Sequence, residues 1–75
     1  MKLSITLEQV SVIEEATYAT FSGKHVERMD LKENKLYPIY LMEYKEDYLS
    51  PEEYVYDENG DIVFPFIIVQ HQLYK

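Results

Sequence analysis

The densest run of potential ligand oxygens in this chain is Asp57-Glu58-Asn59-Gly60-Asp61. Carboxylate and amide oxygens at this density are the donors a calcium ion takes. The spacing does not complete such a site. An EF-hand loop starting at Asp57 needs glycine where Ile62 stands and a bidentate glutamate where Ile68 stands. The run reads instead as a hairpin turn around Asn59-Gly60. His25 and His71 lack the HxxxH or HxxE spacing of a metal pair. Either could join Ser4, Ser11, Ser22 or Ser50 in a triad only through the tertiary fold. The two glycines, Gly23 and Gly60, are too far apart for a phosphate loop. Glu14-Glu15, Glu46-Asp47 and Glu52-Glu53 are paired carboxylates, but general acid chemistry needs burial to raise a pKa, and each pair is expected in an exposed place. The expectation is a protein without catalytic residues, metal or cofactor.

The stronger signal is charge. Fourteen acidic and seven basic side chains in 75 residues give a formal net charge of -7. Residues 1–37 carry a net -1 of this and residues 38–75 the remaining -6. All eight acids of the second half fall between Glu43 and Asp61, where only Lys45 offsets them. They are Glu43, Glu46, Asp47, Glu52, Glu53, Asp57, Glu58 and Asp61, and Tyr44, Tyr48, Tyr54 and Tyr56 are interleaved with them. An acidic run can simply solvate a small protein. Packing like charges costs stability, however, in a fold with little to spare. Tyrosine adds contact area at low entropic cost and a hydroxyl for hydrogen bonding. Together these twelve residues are the expected partner-binding surface. Their complement is a basic protein surface, such as that of a nuclease, a polymerase or another DNA- or RNA-binding protein. Carboxylates would stand in for phosphates and tyrosine rings for bases. Direct nucleic-acid binding is disfavoured at this charge.

The elements that would carry this surface read mostly as strands. Leu3, Ile5 and Leu7 alternate with polar residues and predict a half-buried strand. Gln9 to Phe21 is ambiguous. Thr6-Leu7-Glu8-Gln9 has capping-box spacing, yet the apolar residues that follow encircle a helical wheel, and Ala16–Phe21 has strand composition. Ser22-Gly23-Lys24 is a turn, His25–Leu31 reads as a polar strand, and Lys32–Lys35 as the loop of a hairpin. Leu36–Tyr44 is the return strand, apolar on both faces, with Pro38 marking an edge or bulge. Ser50-Pro51-Glu52-Glu53 looks like a helix start, but Tyr54-Val55-Tyr56 favours strand, so a single turn precedes the Asn59-Gly60 hairpin. Beyond Pro65, Phe66-Ile67-Ile68-Val69 is the expected central strand.

The sum is an all-β fold, a five- to six-stranded antiparallel meander or partly closed barrel, with α+β containing one short helix as the alternative. The absence of cysteine excludes a disulfide scaffold or a zinc finger. The longest apolar run is too short to span a membrane, and no secretory leader is evident, so a cytoplasmic location is expected. The composition, rich in Lys, Glu, Ile and Tyr, is similar in general character to small phage or mobile-element proteins, many of which inhibit host nucleases, restriction systems or polymerases. That likeness implies an inhibitor of the DNA-mimic type in the host cytoplasm. The alternative is a homo-oligomeric structural or assembly β module, its homodimer held by the apolar Leu36–Tyr44 and Phe66–Val69 strands.

Overall fold

The computed structural model describes residues 7–45 and 49–75. The chain is all-β, built from two antiparallel sheets that do not close into a barrel. Seven strands are present among the described residues: β1 (Gln9–Val10), β2 (Tyr18–Ser22), β3 (Tyr37–Pro38), β4 (Tyr40–Met42), β5 (Glu52–Tyr56), β6 (Ile62–Val63) and β7 (Gln70–Tyr74). The larger sheet has the order β1-β7-β2-β3 and the smaller one the order β4-β5-β6. The smaller sheet is a meander, whereas in the larger one the last strand inserts between the first two. The strand expected over residues 2–8 lies almost wholly outside the described residues; its last two, Leu7 and Glu8, are not strand.

The larger sheet is held by β2 and β7, which run side by side from Tyr18↔Tyr74 to Ser22↔Gln70. Alternation sends Ala19, Phe21, His71 and Leu73 to one face, where Ala19 and Phe21 are fully buried. Phe21 is the centre of this face. Its ring lies 5.8 Å from Tyr37, 5.5 Å from Phe66 and 6.4 Å from His71, centroid to centroid. His71 is thus half-buried against this core. Its Nδ1 lies 3.0 Å from the Val69 carbonyl. That oxygen can only accept, so the proton sits on Nδ1. The smaller sheet contributes Val55, also fully buried, to the same core.

Three segments depart from the sequence expectation, each for a physical reason. His25–Leu31 is not a strand but a tight turn around a 3-10 segment, Glu27–Met29. Its apolar residues are not spaced by two. Val26 and Leu31 are both buried, and a strand would have placed them on opposite faces. Asp30, with φ +55°, reverses the chain, and the Leu31 N–H donates to the Val26 carbonyl at 3.1 Å. Phe66–Val69 is likewise not a central strand. Pro65 starts a 3-10 turn over Pro65–Ile67, and the Ile68 and Val69 N–H groups both donate to the Pro65 carbonyl. The turn sends Phe66 and Val69 inward and leaves Ile67 89% exposed. Leu36–Tyr44, expected as one strand covered on both sides, divides at Ile39. Tyr37 and Pro38 pair with β2 at the sheet edge, where a proline is tolerated, while Tyr40–Met42 pair with β5 in the other sheet.

A polar cluster ties the two sheets together. The buried Tyr37 hydroxyl donates to Glu58 Oε2 at 2.7 Å and accepts from the Lys32 N–H at 2.7 Å. Lys35 Nζ reaches both Glu58 oxygens, at 2.8 and 3.0 Å. The Glu58 N–H closes the link by donating to the Asp30 carbonyl. Burial, joined by the adjacent Glu58 carboxylate, raises the Tyr37 phenol to about 12. The Lys35 ammonium and the Tyr37 hydroxyl lower the Glu58 carboxyl. The signs follow from linkage. A raised phenol favours the protonated fold, so its stability is whole below about pH 10 and is lost as pH rises toward 12. A lowered carboxyl gives stability above the ordinary carboxylate range that is lost as pH falls through the folded value. Melting temperature followed against pH is therefore expected to drop at both ends. In Tyr37→Phe the alkaline drop between pH 10 and 12 shrinks, and an unchanged alkaline limb would show that Tyr37 does not carry it.

Candidate functional site

The smaller sheet has two unlike faces, set by the register of its central strand β5. Tyr40 lies opposite Tyr54, Met42 opposite Glu52, and Tyr56 opposite Ile62. These residues share the outer face. Val55, opposite Val63, points to the core, and so by alternation does Glu53, opposite Leu41.

The outer face is aromatic. Tyr40 stacks on Tyr54 with centroids 5.6 Å apart and an interplanar angle of 25°. Tyr56 stands edge-on to both, at 5.2 Å from Tyr40 and 5.6 Å from Tyr54. Phe64 closes on Tyr54 at 6.1 Å. Such offset and edge-to-face pairs hold ring orientation beyond what area burial alone gives. The cluster is nevertheless open to solvent, with Tyr40 43% and Tyr56 42% exposed. A hydrogen bond to Tyr56 raises the Tyr54 phenol above the ordinary tyrosine value. At the far end of the face the Tyr44 hydroxyl donates to Glu52 Oε2 at 2.9 Å, which raises the Tyr44 phenol in the same sense. Both shifts favour the neutral, hydrogen-bond-donating form of Tyr44 and Tyr54.

The twelve residues expected to form the partner surface are distributed unevenly. Glu52, Tyr54 and Tyr56 meet on the outer face, and Tyr44 reaches Glu52. Glu43 and Asp61 are exposed beside the strands that carry it. Glu53 lies on the opposite face. Glu46, Asp47 and Tyr48 lie outside the described residues. Asp57 and Glu58 have work within the chain. The Asp57 side chain is only 9% exposed, and its Oδ1 accepts the N–H groups of Asn59 and Asp61. Glu58 belongs to the Tyr37 cluster. Glu52 and Glu53, expected in a turn, are instead the first two residues of β5. The hairpin loop spans five residues between the paired Tyr56 and Ile62, longer than the two-residue turn that Asn59-Gly60 suggests. A type I′ turn needs positive φ at both central residues. Only Gly60, at +84°, has it, because Asp57 folds the loop around its own carboxylate.

Tyr40 and Phe64 belong to the site although neither was among the twelve expected residues; Tyr40 was placed only in the apolar Leu36–Tyr44 strand. The signal for Tyr40 was its cross-strand position, which depends on a register that the intervening residues conceal. Among the described residues no three His, Asp or Glu side chains gather to hold a metal ion, and no helix is long and apolar enough to cross a membrane. Comparison of the chain with protein-family models, with curated proteins and with solved structures gave no match.

Proposed function

We propose that this chain is a non-enzymatic binding protein that covers a basic surface of a nucleic-acid-handling protein, in the manner of a DNA mimic. The carrying observation is the open, mutually oriented trio of Tyr40, Tyr54 and Tyr56 on the same sheet face as Glu52. Ordered tyrosines are economical contact residues, because two side-chain torsions position a large amphipathic area. Their faces also take arginine or lysine cations. Glu43, Glu52 and Asp61 supply the field that would steer a basic partner, and net -7 on so short a chain adds to it. A nuclease, polymerase or other enzyme with a Lys/Arg-lined channel fits that chemistry. The same reading favours the cytoplasm, of a host cell if the chain is phage-borne.

The test is capture on immobilised protein from a bacterial lysate, eluted with a salt gradient and followed by competition with nucleic acid. The expected partner is a basic nucleic-acid-binding protein released by moderate salt. Its affinity is expected to fall by about tenfold or more for Glu43→Lys/Glu52→Lys/Asp61→Lys, since unfavourable charge juxtaposition costs several kcal/mol at an interface. Binding indifferent to both salt and charge reversal would remove this function. A second reading, the homo-oligomeric β module, draws on exposed Tyr40, Tyr56 and Ile62 together on one sheet. Sedimentation at high micromolar concentration separates the two: a monomer is expected for the charge-driven binder, and a salt-resistant oligomer for the module.

A further inference from the structure

β6 is two residues long and pairs only with Val55 and Tyr56 of β5. The inner face of β5 therefore continues past the core to Glu53, with Leu41 beside it. Across from them stands the 3-10 turn Ile13–Glu15 that precedes β2. Between these walls runs an open groove. Ile13 and Ile39, both packed against the core, line it with Leu41, which is 51% exposed, and Tyr40 borders it. Glu14 and Glu53 line the same groove. Neither carboxylate has an ion-pair partner among the described residues, where the ion pairs found both use Glu58.

An apolar floor beneath two unpaired carboxylates is complementary to a side chain that is aliphatic along its stem and cationic at its tip. We propose that this groove receives an arginine side chain of the basic partner; the proposal rests on the reading above and adds its specificity. The stem would lie on Ile13, Ile39 and Leu41, in the way long cationic side chains cover apolar surface. The guanidinium would meet Glu53 and Glu14. Arginine fits better than lysine because its planar fork can bind a carboxylate through two parallel hydrogen bonds, while an ammonium is a strongly hydrated point charge. A second copy of this chain is the poorer occupant, since its acidic segment would bring like charge to the groove.

The probes are blocked hexa-arginine and hexa-lysine peptides at equal ionic strength, titrated into the whole protein with labelled isoleucine and leucine methyls and read by NMR. Hexa-arginine is expected to move the methyls of Ile13, Ile39 and Leu41 saturably, and to bind at least about threefold tighter than hexa-lysine. Glu53→Gln is expected to weaken hexa-arginine about fivefold, the upper range for a partly exposed ion pair. Glu33→Gln, at an exposed acid outside both the groove and the proposed partner surface, should change it by less than about twofold. Unmoved groove methyls, equal affinity for the two peptides, or equal effects of the two substitutions would each overturn the proposal. Its failure is separable from that of the wider function. A captured partner that tolerates Glu53→Gln but not the Glu43/Glu52/Asp61 reversal keeps the acidic surface and loses the groove. A partner indifferent to the reversal as well loses both.

Discussion

Phe21→Ala is expected to cost about 3–5 kcal/mol, the range for truncating a fully buried phenylalanine. A chain of 75 residues has a total stability of only about 4–11 kcal/mol on a per-residue basis. The substitution should therefore remove a large share of that stability and move the denaturation midpoint far down. The effect is large because Phe21 is where the larger sheet meets the loops that cover it. Its ring touches Tyr37 from β3, Phe66 from the Pro65 turn and His71 from β7. Removing it leaves a cavity that three separate segments would have to collapse into at once. Phe21→Leu keeps most of the volume and should retain the fold. Ile67→Ala is the control. Ile67 is 89% exposed, so its loss should fall within about 0.5 kcal/mol. Urea denaturation followed by circular dichroism measures all three. A cooperative transition for Phe21→Ala close to that of the parent would show that the core does not depend on this ring.

The contrast between Phe21 and Ile67 shows how far the sequence could be read. All-β architecture was legible because β-branched and aromatic residues dominate, and because the strand composition of Ala16–Phe21 marks the strand that became Tyr18–Ser22. The edge role of Pro38 was legible too, since a proline cannot donate to a ladder. What misled was apolar content without period. Phe66-Ile67-Ile68-Val69 has the richest strand composition in the chain, yet Pro65 fixes a turn that buries two of the four side chains and exposes the others. Pairing between distant strands was also beyond a local pattern, and the insertion of β7 beside β1 is of that kind. For the candidate site the same division holds. Tyr54 and Tyr56 could be placed on one face from their spacing alone. Tyr40 could not, because its register with Tyr54 is set across a segment with no periodicity. The role of Glu58 was hidden for the same reason: Lys35 and Tyr37 are more than twenty residues away. The groove beside Glu53 brings together Ile13, Ile39 and Glu53, residues too far apart in sequence for a local pattern to join.

Asp57→Ala is expected to cost about 1–3 kcal/mol, although Asp57 lies in an exposed acidic loop by sequence. The reason is its Oδ1, which accepts the Asn59 N–H at 2.8 Å and the Asp61 N–H at 2.9 Å. The loop's backbone is organised around that atom. The Asp57 N–H donates to the Asp61 carbonyl and the Gly60 N–H to the Asp57 carbonyl. Without the carboxylate the Asn59 and Asp61 N–H groups lose their acceptor, and the five-residue loop loses its reason to hold β5 against β6. Asp57→Asn separates geometry from charge. Asparagine keeps an oxygen at the same position and removes a negative charge from beside Glu58 and Asp61. Its cost should stay below about 1 kcal/mol, because side-chain amides form the same local turn. The two variants are compared by urea midpoint at constant slope, where a shift in midpoint alone reports stability. Equal losses for alanine and asparagine would mean that the charge, not the acceptor geometry, supports the loop. The expected order, alanine well below asparagine, makes Asp57 a structural carboxylate whose task is to present its neighbours. Loosening the loop would release Glu58 from the Asp30 carbonyl on one side and free Tyr56 from its ordered trio on the other. Partner affinity in Asp57→Ala should then fall even though Asp57 itself touches no partner, and asparagine should restore it.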